Sequence, residues 1–250
     1  MKPQRTRIGK LEFCHSRATG ITHAPMGLAA FGLVRRGRGG TTAGLMRHLV
    51  VFLFAASAAL GWSAEKSDRI FDGKSFAGWE GDEKIFRIEK GAIVGGSLKE
   101  KIARNEFLCT KKSYKNFVLK LEVKLRGGAR ANAGIQFRTK RIPNHHEVSG
   151  YQADMGVGWW GSLYDESRRR RVLAKADAAL IKKILKTDDW NRYEIRCEGK
   201  RIRLFINGKL TVDYTEPDPK IPLEGVIAVQ IHGGPPSEAW YRDIMIRELP

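Results

Sequence analysis

Amide, carboxylate, guanidinium and imidazole side chains fall at every second position in three extended-looking stretches of this chain. A strand sends successive side chains to opposite faces. In 133–140, Ile135 and Phe137 therefore share one face while Gln136 and Arg138 share the other. In 151–155, Gln152 and Asp154 oppose Ala153 and Met155, and in 225–232, Ala228, Gln230 and His232 oppose Ile227, Val229 and Ile231. The plainer reading is a solvated outer face, which every sandwich has. Residue type argues against it: such faces favour Lys, Glu and Thr, whereas Gln, Asp, Arg and His together offer planar donors and acceptors suited to sugar hydroxyls. The expectation is a ligand-facing surface, conditional on the three strands being neighbours in a curved sheet.

Other groups compete with this surface for a chemical role. Trp159, Trp160, Tyr164 and Trp240 are candidates for apolar stacking at its rim, although Trp79, Trp190 and Trp240 also suit a core. Asp165 and Glu166, next to Tyr164, form an acidic pair that could divide acid and base roles, against the plainer reading of a Gly-flanked surface loop. His145, His146 and Glu147 invite a metal, but adjacent side chains on an extended chain point apart and no second spaced pair follows.

The elements that must position these groups are short. Candidate strands are 86–88, 92–95, 107–110, 117–125, 133–140, 151–155, 192–197, 201–206, 209–214, 225–232 and 240–248, separated by Gly, Asn, Asp or Pro. That many short strands at this spacing predict an all-β sandwich or barrel. Glu198-Gly199-Lys200 and Asn207-Gly208 read as tight hairpin connections, Asn-Gly supplying positive φ cheaply. The spacing of Ala176, Leu180, Ile181 and Ile184 predicts one helix over 172–185, entered from a basic surface loop at 168–171.

The sequence of 250 residues carries a formal charge of +18, which raises nucleic acid as a partner. Residues 1–64 hold nine Lys or Arg against Glu12 alone, leaving 36 basic and 26 acidic residues beyond them, a surplus of +10 that is well mixed in sign. With no nucleic-acid motif, the reading is a solvated cationic surface and no nucleic-acid partner. Residues 46–64 read as a signal peptide: Met46, Arg47 and His48, an apolar run at 49–60, then Gly61-Trp62-Ser63. An uncleaved anchor is the alternative, but twelve apolar residues are short of the ~20 that span a bilayer. The mature chain is expected at 65–250, exported to the periplasm or beyond, with no stable membrane insertion. Residues 1–45, Arg- and Gly-rich without apolar periodicity, are expected to precede the true start at Met46. Cys14 lies there, leaving Cys109 and Cys197 as either one disulfide or two separately buried thiols.

Eight motifs in order carry a family resemblance: FDGKSFAGW at 71–79, NAGIQFR at 132–138, GYQADMG at 150–156, GSLYDE at 161–166, DDWN at 188–191, INGK at 206–209, GVIAVQIHGG at 225–234 and YRDIMIREL at 241–249. Together they resemble the 3-keto-disaccharide hydrolase domain family over about residues 68–249. The resemblance implies a concanavalin-like jelly roll of two antiparallel sheets. It also implies action on glycosides already oxidised at C3 by a separate sugar dehydrogenase. A C3 ketone acidifies the C2 proton, so a base removes it, the glycosidic oxygen leaves from C1, and water adds back. On that chemistry Asp154 or His232 is base or acid, with Arg138 and Gln152 holding the oxyanion and hydroxyls. Tyr164 and Glu166 protonate the leaving oxygen, and Asn132, Gln136, Gln230 and Trp160 complete the substrate contacts. There is room for a divalent metal at the enolate, with no ligand set placed. Ala133, where the family often has Ser, is expected to remove a hydroxyl from the site, and Tyr241 stands where Phe is common.

Two rivals remain beside the enzyme. A jelly roll hosts lectins as readily as catalysts, so a non-catalytic carbohydrate-binding module is one. A basic cell-envelope interaction protein is the other, and its association would weaken steeply with salt.

Overall fold

Alternation of apolar and polar residues does build strands over about half of the described residues. The computed structural model describes residues 67–250. The upstream segment 1–45, the signal peptide expected at 46–64 and Cys14 lie outside the described residues. In chain order the elements are β1 (Asp68–Arg69), β2 (Trp79–Glu80), β3 (Phe86–Glu89), β4 (Ala92–Ser97), β5 (Glu106–Tyr114), β6 (Phe117–Arg126), β7 (Asn132–Arg141) and β8 (Val148–Gly156). There follow β9 (Leu163–Glu166), β10 (Arg171–Ala174), α1 (Ala178–Ile184), β11 (Asn191–Glu198), β12 (Arg201–Ile206), β13 (Lys209–Thr215), β14 (Gly225–Ile231) and β15 (Ser237–Glu248).

The strands form two antiparallel sheets. One runs β13-β12-β11-β6-β15-β4-β3, with β1 also on β15, and the other runs β10-β9-β8-β7-β14-β5-β2. This is the two-sheet sandwich that the strand spacing and the resemblance implied. Hairpins set the register: Asn207 and Gly208 both take positive φ, at 49° and 77°, as a two-residue turn with the strands' own twist requires. Leu119, Leu121, Val123, Ile195, Leu204 and Tyr241 from the first sheet meet Leu108, Ile135, Phe137, Tyr151, Val229 and Ile231 from the second in one buried cluster. Each such side chain contributes about 1.5–3 kcal/mol relative to exposure. Phe137 stacks on Tyr151 at 5.6 Å between ring centres.

Three expectations need correction. The helix expected over 172–185 is shorter: residues Arg171–Ala174 pair with β9, and α1 begins only after Asp177, whose side chain accepts from the Ala179 amide at 2.8 Å. A capping Asp closes off a helix on its N-terminal side, and Val172 and Leu173 favour the pleated surface. Asp165 and Glu166 sit in a strand, not a loop. The basic run is no simple surface loop either, because Arg168 and Arg169 form ion pairs to buried Asp165, and Arg169 to buried Glu216.

Cys109 and Cys197 are free, buried thiols, and burial pushes both up to about 12. A thiol reagent at pH 8 is expected to leave both unlabelled in the folded protein and to label both after denaturation, read by peptide mass mapping. Labelling of either in the folded state would contradict this. Among the described residues no helix is long and apolar enough to cross a membrane.

Candidate functional site

The outer face of the second sheet carries the polar groups. Strands β8, β7 and β14 are consecutive neighbours in it, so the adjacency on which the ligand-facing surface depended holds. Register places Gln152 opposite Gln136, Asp154 opposite Gly134 and Gly134 opposite Gln230. Ile135, Ala153 and Val229 between them point into the core. A cleft of about 240 Å³ opens on this face, lined by Gln152 and Asp154 from β8, Tyr164 and Glu166 from β9, Asn132 from β7, and His232, Asn105 and Trp159 from flanking segments.

Asp154 is the most buried ionisable group there, at 2% exposure. Gln152 Nε2 donates to its Oδ1 at 2.5 Å, and its Oδ2 has no partner. Desolvation by burial, only partly offset by the Gln152 hydrogen bond and reinforced by the charge of Glu166, raises its pKa to about 7. Glu166 is raised as well, first by burial and then by Glu147, against the Ser167 backbone amide and the charge of His232. Two carboxyls on one wall, both pushed toward neutrality, are an acid–base pair in the making. His232 stands exposed at the mouth, with Nδ1 2.6 Å from the Gly233 carbonyl. A carbonyl only accepts, so Nδ1 is the donor in this contact.

The floor is a run of amides. Gln136 Nε2 donates to Gln152 Oε1, and Gln230 Nε2 reaches Glu166 Oε2 at 3.4 Å. Gly134 makes room for it, since a Cβ there would lie 2.6 Å from Gln152 Cδ and 2.7 Å from its Cγ. Gly134→Ala is therefore expected to lift Gln152 off the sheet, strip Asp154 of its donor and move the Asp154 pKa above about 7. Carboxyl carbon-13 NMR across pH reads the shift, and an unmoved titration would refute the packing argument.

Hydroxyls from the opposite sheet steady these strands from behind. Tyr193 Oη donates to the Asp154 carbonyl at 3.2 Å. Tyr241 Oη donates to the Gln230 carbonyl at 2.5 Å and lies 3.2 Å from that of Gly134. Asn105 ties the mouth together: its Nδ2 donates to Glu147 Oε1 at 3.2 Å and its Oδ1 accepts from the Gly233 amide at 2.9 Å.

The structure thus brings together Asp154, Glu166, Tyr164, Gln152, Asn132 and His232 at the cleft, with Gln136 and Gln230 buried in the same face. Arg138 does not join them. The β7–β8 register shifts between Phe137 and Lys140, and Arg138 takes a φ of 46°. Its guanidinium instead donates to the Lys115 and Gly199 carbonyls and Asn116 Oδ1, clamping the β5–β6 connection between the sheets to the β11–β12 hairpin turn. Trp160 is buried in the core, and its neighbour Trp159, 43% exposed, takes the rim. Trp240 packs with Trp190 on the first sheet, away from the cleft. Ala133 points into the core, so a hydroxyl there would not reach the site. His145 and His146 stack on each other, and among the described residues no group of three or more His, Cys, Asp or Glu is arranged to hold a metal ion. Asn105 carries no signal in the sequence, being a polar residue just before a strand.

The sequence profile of the 3-keto-alpha-glucoside-1,2-lyase-like domain matches residues 66–247. Among solved structures, a glycosyl-hydrolase candidate from Parabacteroides distasonis is similar at 18% identity and TM-score 0.58, over 75% of this chain and 95% of that one. A second from the same organism is similar at 21% identity and TM-score 0.55, over 74% and 100%. The carbohydrate binding module CBM66 from Bacillus subtilis is similar at 13% identity and TM-score 0.53, over 68% and 96%. These likenesses establish a shared sandwich fold. No curated protein matches the chain by sequence.

Proposed function

Because the chain belongs to the 3-keto-alpha-glucoside-1,2-lyase-like domain family, we propose that it cleaves glycosides carrying a ketone at C3 by removing the proton at C2. The observation that carries this reading is the Asp154 carboxyl, buried on the cleft floor with a free Oδ2 and a pKa of about 7. A base is most effective when its pKa lies near the working pH. Asp154 takes the C2 proton, and the electron pair becomes the C1=C2 bond as the glycosidic oxygen leaves. Glu166, raised toward neutrality with Tyr164 beside it, returns a proton to that oxygen. His232 and Asn132 face the enolate oxygen, and Gln152 orients the base. Addition of water across C1=C2 then completes net hydrolysis.

The cleft, at about 240 Å³, is smaller than the ~300–1,000 Å³ typical for drug-sized ligands. One sugar ring occupies it, and the rest of the glycoside lies against Trp159 at the rim. The ketone has to be supplied by an upstream sugar 3-dehydrogenase, because an unoxidised sugar's C2 proton is beyond a side-chain base. The reading includes export by the leader at 46–64.

Incubating the purified protein with a 3-keto-glucoside and with its unoxidised parent tests the proposal. Aglycone release from the keto form alone is the expected result. Binding of both sugars with release from neither would replace the enzyme with a carbohydrate-binding module.

A further inference from the structure

Resting on that reading, we infer that Asp154 and Glu166 share a single proton through a ladder of three glutamine amides, Gln152, Gln136 and Gln230. As the groups stand, Gln136 Nε2 donates to Gln152 Oε1, Gln152 Nε2 donates to Asp154 Oδ1, and Gln230 Nε2 donates to Glu166 Oε2. That is the arrangement two ionised carboxylates impose, since each only accepts. Its cost is visible in the middle of the ladder, where Gln136 Oε1 and Gln230 Oε1 are both buried without a donor. These two side chains are fully buried on the same face of adjacent strands, Gln136 opposite Ala228 and Gln230 opposite Gly134. Such diagonal neighbours are within reach of one another when their side chains are long.

One proton removes the conflict. With Glu166 protonated, its hydroxyl donates to Gln230 Oε1, the Gln230 amide turns over, and its Nε2 donates to Gln136 Oε1. With Asp154 protonated instead, Gln152 and Gln136 turn over and the ladder runs the other way. With both protonated, two amide nitrogens meet in the middle and the conflict returns. Only the singly protonated forms give every amide oxygen a donor without setting two donors against each other, and buried polar groups strongly favour such satisfied arrangements.

The consequence for turnover balances. The C2–H bond breaks and its proton goes to Asp154. The C1–O bond breaks, and the leaving oxygen keeps that pair and takes the Glu166 proton. The ladder reverses. When water adds back, Glu166 takes a proton from it as its oxygen bonds C1, and Asp154 returns a proton to C2, restoring the starting polarity. Other groups facing the pair are Glu147, His232 and the Ser167 amide around Glu166, and Tyr164 and Tyr193 around Asp154.

Carboxyl carbon-13 NMR of the full-length protein, titrated without substrate, tests the ladder. Wild type should show two well-separated macroscopic steps, assigned with Asp154→Asn and Glu166→Gln. Gln136→Leu, and Gln136→Met should Leu not fold, should bring the steps together by at least one pH unit and narrow the pH–rate profile equally. Unchanged separation in a folded variant would overturn the inference. Steps that converge in a protein that cleaves no 3-keto-glycoside would sink the functional reading and leave the ladder standing. Turnover with unmoved steps would do the reverse.

Discussion

Replacing Asp154 with Asn is expected to lower turnover by about 10²–10⁴-fold while raising thermal stability at pH 8. The two effects have one cause. Burial raises the Asp154 pKa to about 7 from an ordinary value of 3.8, so the native state binds its proton more tightly than the unfolded chain does. For a carboxyl raised in this way, stability is greatest below the unfolded value and is lost as pH climbs toward the folded one. Above pH 7 the native protein holds a buried, ionised carboxylate at a cost whose ceiling is about 4 kcal/mol, at about 1.36 kcal/mol per pKa unit. Asn keeps the Gln152 hydrogen bond through its own oxygen and carries no charge. The gain in melting temperature should therefore be several degrees at pH 8 and vanish near pH 4. Calorimetry at both values decides the matter. A variant that loses activity but is no more stable at pH 8 would mean that Asp154 is not held at the cleft floor under strain.

Arg169→Met should destabilise the fold more than any single change at the cleft. Arg169 donates to Glu216 at 3.0 and 2.8 Å and also to Asp165, and both carboxylates are buried. Tyr151 adds a hydrogen bond to Glu216 Oε2 at 2.6 Å. Removing one partner of such a network leaves buried charge uncompensated, which costs about 3–5 kcal/mol. Denaturant melts at pH 7 should show that loss, with most of it recovered by adding Glu216→Gln. Absence of recovery would mean that the damage lies elsewhere. The pH dependence has the opposite sign to that of Asp154. Against the desolvation of burial, the hydrogen bonds from Arg169 and Tyr151 hold Glu216 down at about 2. The stability it contributes is whole above its ordinary value of 4.5 and drains away as pH falls toward 2.

What could be read from the chain follows from which signals are local. Gln136, Gln152, Asp154 and Gln230 were placed on one face because an alternation of two survives wherever pairing is uninterrupted, as it is from Asn132 to Phe137 against Tyr151 to Gly156. Arg138 was misplaced because a bulge one residue farther on breaks that count, and no residue type announces it. Trp159 and Trp160 differ in fate through the turn carrying them, where Gly156, Gly158 and Gly161 all take positive φ. The basic run misled for another reason: Arg168 and Arg169 find their acids at Asp165 and, through tertiary contact, at Glu216. Pairing between segments distant in sequence leaves no periodic trace.

The tyrosine hydroxyls that reach across the core have a mechanical consequence. Tyr193 and Tyr241 fasten the carbonyls of Asp154 and Gln230 to the opposite layer, so the bed of the cleft cannot part and shut like jaws on a hinge. On the function proposed above, a sugar would come and go over strands that keep their places, and only side chains would turn beneath it.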